Sequence, residues 1–70
     1  MLMELKKVDE TGACVVLSPD DLLTICNALN EVCNGLDMPE FATRMGVTRE
    51  DALRLLQNAN AIYEKMAQHT

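Results

Sequence analysis

The sequence predicts a small α+β domain that is mostly helical, with an N-terminal β-hairpin followed by a long, a short and a long helix. Two patterns and the chain length predict it. Alternation and β-branched residues over positions 1–17 indicate two short strands, and apolar residues at spacings of three and four over positions 18–70 indicate helices. A chain of 70 residues has room for one modest core. We therefore expect a single domain, 1–70.

The first 17 residues have the pattern of a β-hairpin. Alternation runs from Met1 to Leu5, a short run rich in β-branched residues covers Ala13–Leu17, and Asp9–Gly12 between them has turn chemistry. An isolated two-stranded ribbon is only marginally stable in water, so we expect the hairpin to lie against the helices with one face covered. The alternative is that an open strand edge pairs with another chain.

Positions 18–35 predict a capped helix. Ser18 is the expected N-cap, Pro19 occupies the first helical position, and Asp21 completes a capping sequence three residues after the cap. An apolar stripe follows and faces the core. It comprises Leu22, Ile25, Cys26, Leu29, Val32 and Cys33. Gly35 is expected to end the helix in the left-handed conformation.

A short helix and a second long helix complete the predicted fold. We expect Asp37 to cap a helix of about two turns from Pro39 to Met45, with Gly46 ending it. Thr48 is then the cap of the last helix. The apolar stripe of this helix comprises Ala52, Leu55, Leu56, Ala59, Ile62, Tyr63 and Met66. Phe41, the single phenylalanine, is expected to fill the core between the long helices.

The three cysteines, Cys14, Cys26 and Cys33, lack the spacing of a metal site. Cys26 and Cys33 lie seven residues apart on one predicted helix, so their backbones are about 10 Å apart, beyond the reach of a disulfide. We therefore expect all three to be reduced residues of the core. No apolar stretch approaches membrane-spanning length and the N-terminus is unlike a signal peptide, which favours a cytoplasmic protein.

Acidic residues dominate the chain, which has 11 Asp and Glu against 6 Lys and Arg and a net charge of -5. No Lys or Arg occurs between Val8 and Thr43. Such an asymmetry favours basic partners and disfavours nucleic acid. The residues predicted to contact a partner are Asn30, Glu31, Asn34, Asp37, Glu40, Asp20 and Asp21. The alternative is a charged face that only keeps the protein soluble.

Catalysis is the weakest interpretation of this sequence. The single histidine, His69, lies near the C-terminus, no Ser–His or Cys–His arrangement is placed by the pattern, and no glycine-rich loop precedes a helix. The acidic pairs at positions 20–21 and 50–51 are explained by helix first turns, where carboxylates are favourable. We therefore expect a protein that is not an enzyme and that uses no metal and no cofactor.

Two other functions remain open from the sequence. Residues 39–56 have the spacing of a helix-turn-helix with Gly46 at the turn, as in a small DNA-binding regulator. The arginines available to contact phosphate there are Arg44, Arg49 and Arg54, and the second helix opens with acidic residues, which disfavours DNA. The other alternative is a homodimeric, antitoxin-like adaptor whose hairpin edges pair.

Two stretches of the chain carry a family resemblance: Asn27–Gly35, and the words Pro39–Phe41, Thr43–Arg44 and Gly46. Through these short motifs, the middle third to half of the chain resembles a family of small bacterial immunity proteins. Members of this family are encoded beside polymorphic toxins of the contact-dependent or Rhs type. The resemblance implies a non-catalytic cytoplasmic protein that binds and blocks the C-terminal domain of a cognate toxin. An acidic surface would suit a basic, nuclease-type toxin domain.

Overall fold

The computed structural model describes residues 3–69 and confirms the predicted fold class, a two-stranded antiparallel hairpin followed by long, short and long helices. The strands are β1, Glu4–Asp9, and β2, Gly12–Val16. The helices are α1, Pro19–Asn30, α2, Phe41–Met45, and α3, Arg49–Ala67. A π-helical segment, Glu31–Gly35, directly continues α1. Met1 and Leu2 of the predicted hairpin lie outside the described residues.

The hairpin closes through a two-residue turn at Glu10 and Thr11, as the turn chemistry predicts. One carboxylate oxygen of Asp9 accepts hydrogen bonds from the Thr11 hydroxyl at 2.6 Å and from the Thr11 amide at 2.8 Å. An Asp side chain that bonds the backbone two residues on stabilises a tight turn. The Thr11 hydroxyl, followed by its amide, also holds the pKa of Asp9 below its usual value.

A β-bulge decides which side chains share a face of the hairpin. Leu5 lies opposite Val15, and Val8 lies opposite Ala13. In a regular strand Leu5 and Val8, three residues apart, would point to opposite faces. The bulge between Leu5 and Lys7 returns them to the same face. One side of the hairpin, here called the apolar face, therefore carries only apolar side chains at its paired positions.

The prediction that the helices cover one face of the hairpin is wrong. Every residue of both strands is exposed, with Leu5 at 59% and Val8 at 65%. Cys14, expected in the core, is exposed on β2. One feature explains this: α1 packs against α3 rather than against a strand, so the helix face that could cover the ribbon is already occupied. Leu17 does contact the core.

The core lies between α1 and α3 and consists of two clusters. The first comprises Leu22, Cys26, Leu56 and Ala59, and the second comprises Cys33, Phe41 and Ala52. Because Cys33 follows α1 and contacts the cluster of Ala52 near the start of α3, the two helices run antiparallel. Cys26, Cys33 and Phe41 are therefore buried as predicted, whereas Cys14 is not.

The apolar stripe of α3 is narrower than predicted. Leu55 and Ile62 are more than half exposed, while Ala52, Leu56 and Ala59 are buried. At about 100° per residue, Leu55 and Ile62 lie roughly 60–80° around the helix from Ala52. One long neighbour, α1, covers only a narrow stripe of a helix, so these two side chains remain outside the core.

Both long helices begin at the predicted caps. The Ser18 hydroxyl accepts from the Asp21 amide at 3.1 Å, and the Asp21 carboxylate accepts from the Ser18 amide at 3.2 Å, which completes a capping box. At α3 the Thr48 hydroxyl accepts from the Asp51 amide at 3.2 Å. The Arg54 guanidinium donates to the Asp51 carboxylate, and this bond, followed by a side-chain hydrogen bond from Thr48 to the same carboxylate, holds the pKa of Asp51 below its usual value.

The start of α2 differs from the prediction. The helix begins at Phe41 rather than Pro39, and Asp37 does not cap it. Pro39 and Glu40 form a turn instead, in which Glu40 adopts the left-handed conformation with φ 54°. This turn, with proline at its first central position, takes the place of the expected helical turn. Gly46 ends α2 with φ 83°, as predicted.

A matched pair of leucines tests the position of the core. Leu22 is 3% exposed and Leu23 is 38% exposed. We expect Leu22→Ala to lower the free energy of unfolding by about 2–3 kcal/mol, because it leaves a cavity between α1 and α3. Leu23→Ala should cost less than about 1 kcal/mol. Urea denaturation of both variants measures the difference, and equal losses would contradict the assignment of this helix face.

The cap of α3 should make stability depend on pH. The pKa of Asp51 is lower in the folded chain than its ordinary value of 3.8, so its ionised form stabilises the fold above that value, and this stabilisation is lost as the pH falls through the folded-state pKa. Asp51→Asn should be less stable than the parent chain near neutral pH, with the difference vanishing in acid. Glu50→Gln, in the same helical turn, is the control and should show a smaller difference at every pH.

Candidate functional site

The acidic corner is the surface where the first long helix ends and the chain turns toward α2. It is formed by Asn30, Glu31, Asn34, Asp37 and Glu40, all of which are exposed. The side-chain amide of Asn34 donates to the side-chain oxygen of Asn30 at 2.9 Å, which links successive helical turns. Five of the seven residues predicted to contact a partner therefore lie at one bend of the chain.

The π-helical segment determines the position of Glu31. The Leu36 amide donates to the Glu31 carbonyl, five residues earlier, at 2.9 Å. Gly35 therefore does not end the helix in the predicted left-handed conformation, and Gly46 is the one glycine of residues 3–69 with a positive φ. A β-carbon on Gly35 would lie 2.9 Å from the Glu31 carboxylate. Glycine at this position lets the Glu31 side chain fold over the backbone.

Arg49, the first residue of α3, turns inward beneath the acidic corner. Its guanidinium donates to the carbonyl of Cys33 and lies 4.6 Å from the centroid of the Phe41 ring. The last carbonyls of a helix lack intrahelical partners, and neither α1 nor the π segment has a basic residue in its last turn. Arg49 therefore supplies the donor and the positive charge that this helix end lacks.

The sequence pattern does not predict the inward contact of Arg49. From the pattern alone, this arginine is only a residue that could bind phosphate in a helix-turn-helix. One signal for it does exist. A cation in the first turn of a helix opposes the dipole of that helix, so Arg49 is misplaced with respect to α3 alone. An arginine in such a position indicates an acceptor elsewhere in the fold, which here is the carbonyl of Cys33.

The three carboxylates of the acidic corner have no internal partners. Within residues 3–69, the side chains of Glu31, Asp37 and Glu40 form no ion pair and no hydrogen bond. They lie close to the end of the π segment, whose Cys33 carbonyl is bound by Arg49. The corner therefore carries three exposed carboxylates that no described side chain pairs.

Glu40 is the one non-glycine residue with a positive φ in the part of the chain that the structure describes. The left-handed conformation costs an ordinary L-residue about 1–2 kcal/mol. Its side chain makes no capping hydrogen bond and is exposed. The fold therefore gives no reason for a glutamate here, where glycine would be less strained, and strain of this kind concentrates at functional sites.

Asp20 and Asp21 are not part of the acidic corner. They lie in the first turn of α1, about 16 Å along the helix axis from Glu31. The Asp21 carboxylate is engaged by the Ser18 amide in the capping box. Asp20 is exposed and, at about 100° per residue, lies on the same side of the helix as Glu31. Of the two, only Asp20 is placed to extend the acidic surface.

Most of the arginines that a helix-turn-helix would use to bind phosphate are engaged elsewhere in the structure. Arg49 is bound to Cys33 and Phe41, and Arg54 is paired with Asp51. Of the three arginines that would contact phosphate, Arg44 alone has no side-chain partner among residues 3–69. Because phosphate affinity depends on several Lys or Arg side chains acting together, this arrangement gives DNA binding no support.

Other parts of the surface offer little for chemistry. A groove lined by Pro19, Tyr63, Met66 and Ala67 has a volume of about 170 Å³, below the range of about 300–1,000 Å³ typical of small-molecule pockets. In residues 3–69 no group of three or more His, Cys, Asp or Glu side chains is arranged to hold a metal ion. None of the described helices is both long enough and apolar enough to cross a membrane.

Comparison of the chain with protein-family models, with curated proteins and with solved structures finds no match.

The inward contact of Arg49 can be tested by substitution. Arg49→Gln should lower the free energy of unfolding by about 1–2 kcal/mol, because the Cys33 carbonyl loses its charged donor and the Phe41 ring loses a cation. Arg44→Gln is the matched control, since its side chain is exposed, and should change stability by less than about 0.5 kcal/mol. Equal effects in thermal denaturation would show that the Arg49 contact does not stabilise the fold.

Proposed function

We propose that this chain is a non-catalytic immunity protein that acts in the cytoplasm and neutralises a basic, nuclease-type toxin domain by binding it through the acidic corner. The observation that carries the proposal is the set of three exposed, unpaired carboxylates at a helix C-terminus, one of them held at a positive φ. The fold does not use these charges. They are available to a partner that carries positive charge.

The mechanism follows from how a nuclease holds its substrate. A nuclease binds phosphates through clustered Lys and Arg side chains, and an acidic surface competes for the same cations. Long-range electrostatic attraction accelerates the encounter of the two proteins. Hydrogen bonds and ion pairs at the interface then fix their relative orientation. Asn30 and Asn34 add amide donors and acceptors beside Glu31, so the corner offers hydrogen bonds of definite geometry as well as charge.

The resemblance to immunity proteins supports the same assignment. The words that carry it fall on the acidic corner and on the residues that build it. Phe41 and Gly46 have structural roles, in the core and at the end of α2. Asn30, Glu31 and Asn34 are exposed and contribute nothing to the core. Motifs whose only role was to end or begin a helix would not need exposed polar side chains at these three positions.

Charge reversal tests the acidic corner directly. With the toxin C-terminal domain encoded beside this chain as the partner, Asp37→Lys combined with Glu40→Lys should slow association and weaken binding about tenfold or more at low salt. The control is Glu64→Lys, an exposed charge on α3 far from the corner. Stopped-flow association rates and growth rescue of toxin-expressing cells measure the effect. Unchanged affinity at low salt would remove both residues from the interface.

Glu40 separates binding from folding. Glu40→Gly relieves the left-handed strain, so stability should stay the same or rise by up to about 1 kcal/mol. Affinity for the toxin domain should nevertheless fall, because one carboxylate is lost. Thermal denaturation and calorimetric titration of the same preparation measure the two effects. A variant that binds as tightly as the parent chain would show that the strained glutamate does not contact the toxin.

A further inference from the structure

The outer edge of β2 is a second surface, independent of the proposed function and separated from the acidic corner by α1, which spans about 18 Å. In the two-stranded sheet each strand has one unpaired edge. The hairpin makes few contacts with the helices. A ribbon of this kind is marginally stable by itself and becomes stable with three or more strands and an apolar face.

The chain exposes more surface than a compact monomer of its size. Its accessible surface is 5545 Å², whereas a folded monomer of 7.8 kDa is expected to expose about 4,400 Å². Its radius of gyration is 13.5 Å, against about 11 Å for a compact domain of this length. The excess of roughly 1,100 Å² exceeds the approximately 800 Å² that each partner buries in a standard interface.

The two free edges of the hairpin are unequal. β1 carries a bulge between Leu5 and Lys7 and two adjacent lysines, Lys6 and Lys7, and both features protect a strand edge against pairing. β2, whose sequence is Gly-Ala-Cys-Val-Val, has no charge, no proline and no bulge of its own. The β2 edge is therefore the one open to another strand.

The β2 edge is the part of the hairpin where a second copy meets the least electrostatic repulsion. Two chains that each carry a net charge of -5 repel one another. β2 contains no ionisable side chain except the thiol of Cys14, so two copies meet there with the least repulsion. A basic toxin domain would instead be attracted to the acidic corner, far from this edge.

We propose that this chain forms a homodimer in which the β2 strands of two copies pair antiparallel about a twofold axis. The result is a four-stranded sheet in the order β1, β2, β2 and β1. Residues opposite each other in an antiparallel pair share a face, so the two apolar faces join on one side of the sheet. The unpaired backbone groups of both β2 edges then find partners.

The register of this dimer makes Cys14 a probe. Cys14 is the middle residue of the five in β2, so full overlap of two antiparallel β2 strands places it opposite Cys14 of the second copy. Directly opposed residues have Cβ atoms about 4.5–5.5 Å apart, which is close to disulfide geometry. Cys26 and Cys33 are buried and do not compete for oxidation.

The first test combines sedimentation with mild oxidation of the full-length chain. The parent chain should sediment at twice 7.8 kDa, and oxidation should convert it to a covalent dimer. Cys14→Ser should remain a dimer and lose the cross-link. Lys7→Cys in the Cys14→Ser background is the matched control, because Lys7 lies opposite Cys14 on the same face but on the outer strand, and it should not cross-link.

The second test places a charge at the centre of the interface. Cys14→Lys puts two like charges opposite each other across the twofold axis, which should raise the dimer dissociation constant by about tenfold or more. The helical signal should be unchanged, since Cys14 is outside the core. Three results would overturn the proposal: a parent chain that is monomeric at all concentrations, cross-linking through Lys7→Cys, or a Cys14→Lys dimer as tight as the parent.

These outcomes are distinguishable from a failure of the proposed function. Cys14→Lys leaves the acidic corner intact, so a monomeric Cys14→Lys variant should still bind the toxin domain. Loss of toxin binding after charge reversal at Asp37 and Glu40 should likewise leave the β2 pairing unchanged.

Discussion

The guanidinium of Arg49 joins the three parts of the helical region. It donates to the Cys33 carbonyl at the end of the first long helix, stacks on Phe41 of α2, and belongs to the first turn of α3. The carbonyl would otherwise lack a partner at the end of a helix beside the core, and the cation compensates the negative end of that helix. The position of the bend, and with it the acidic corner, depends on this contact.

The acidic corner combines local irregularity with charge. The π segment places the Glu31 carboxylate over Gly35, and the turn at Pro39 holds Glu40 in the left-handed conformation. Both features flank residues that hold the bend, since Cys33 and Phe41 are buried in one core cluster and both contact Arg49. A bend held by the core presents its unpaired carboxylates to a basic partner at a smaller cost in backbone freedom than a flexible loop would.

The hairpin illustrates how little core a chain of 70 residues can build. The long helices bury narrow stripes against each other, and no element within residues 3–69 covers the strands. The bulge in β1 nevertheless keeps Leu5 and Val8 on one face, and both side chains stay exposed there. The proposed pairing of two hairpins would account both for the uncovered strands and for the shared apolar face. It would leave the acidic corner of each copy free.

The sequence by itself determined the fold class, both long helices with their caps at Ser18 and Thr48, and the burial of Phe41, because capping and apolar periodicity are local properties of the chain. It also located the exposed polar set at the corner. Tertiary structure alone decided the inward course of Arg49, since its contacts with Cys33 and Phe41 form only after folding. The positive φ of Glu40 is likewise visible only in the structure, because the residue type does not predict it. Tertiary structure also decided that the hairpin stays uncovered, because the available helix surface depends on how the helices pack, which no local pattern records.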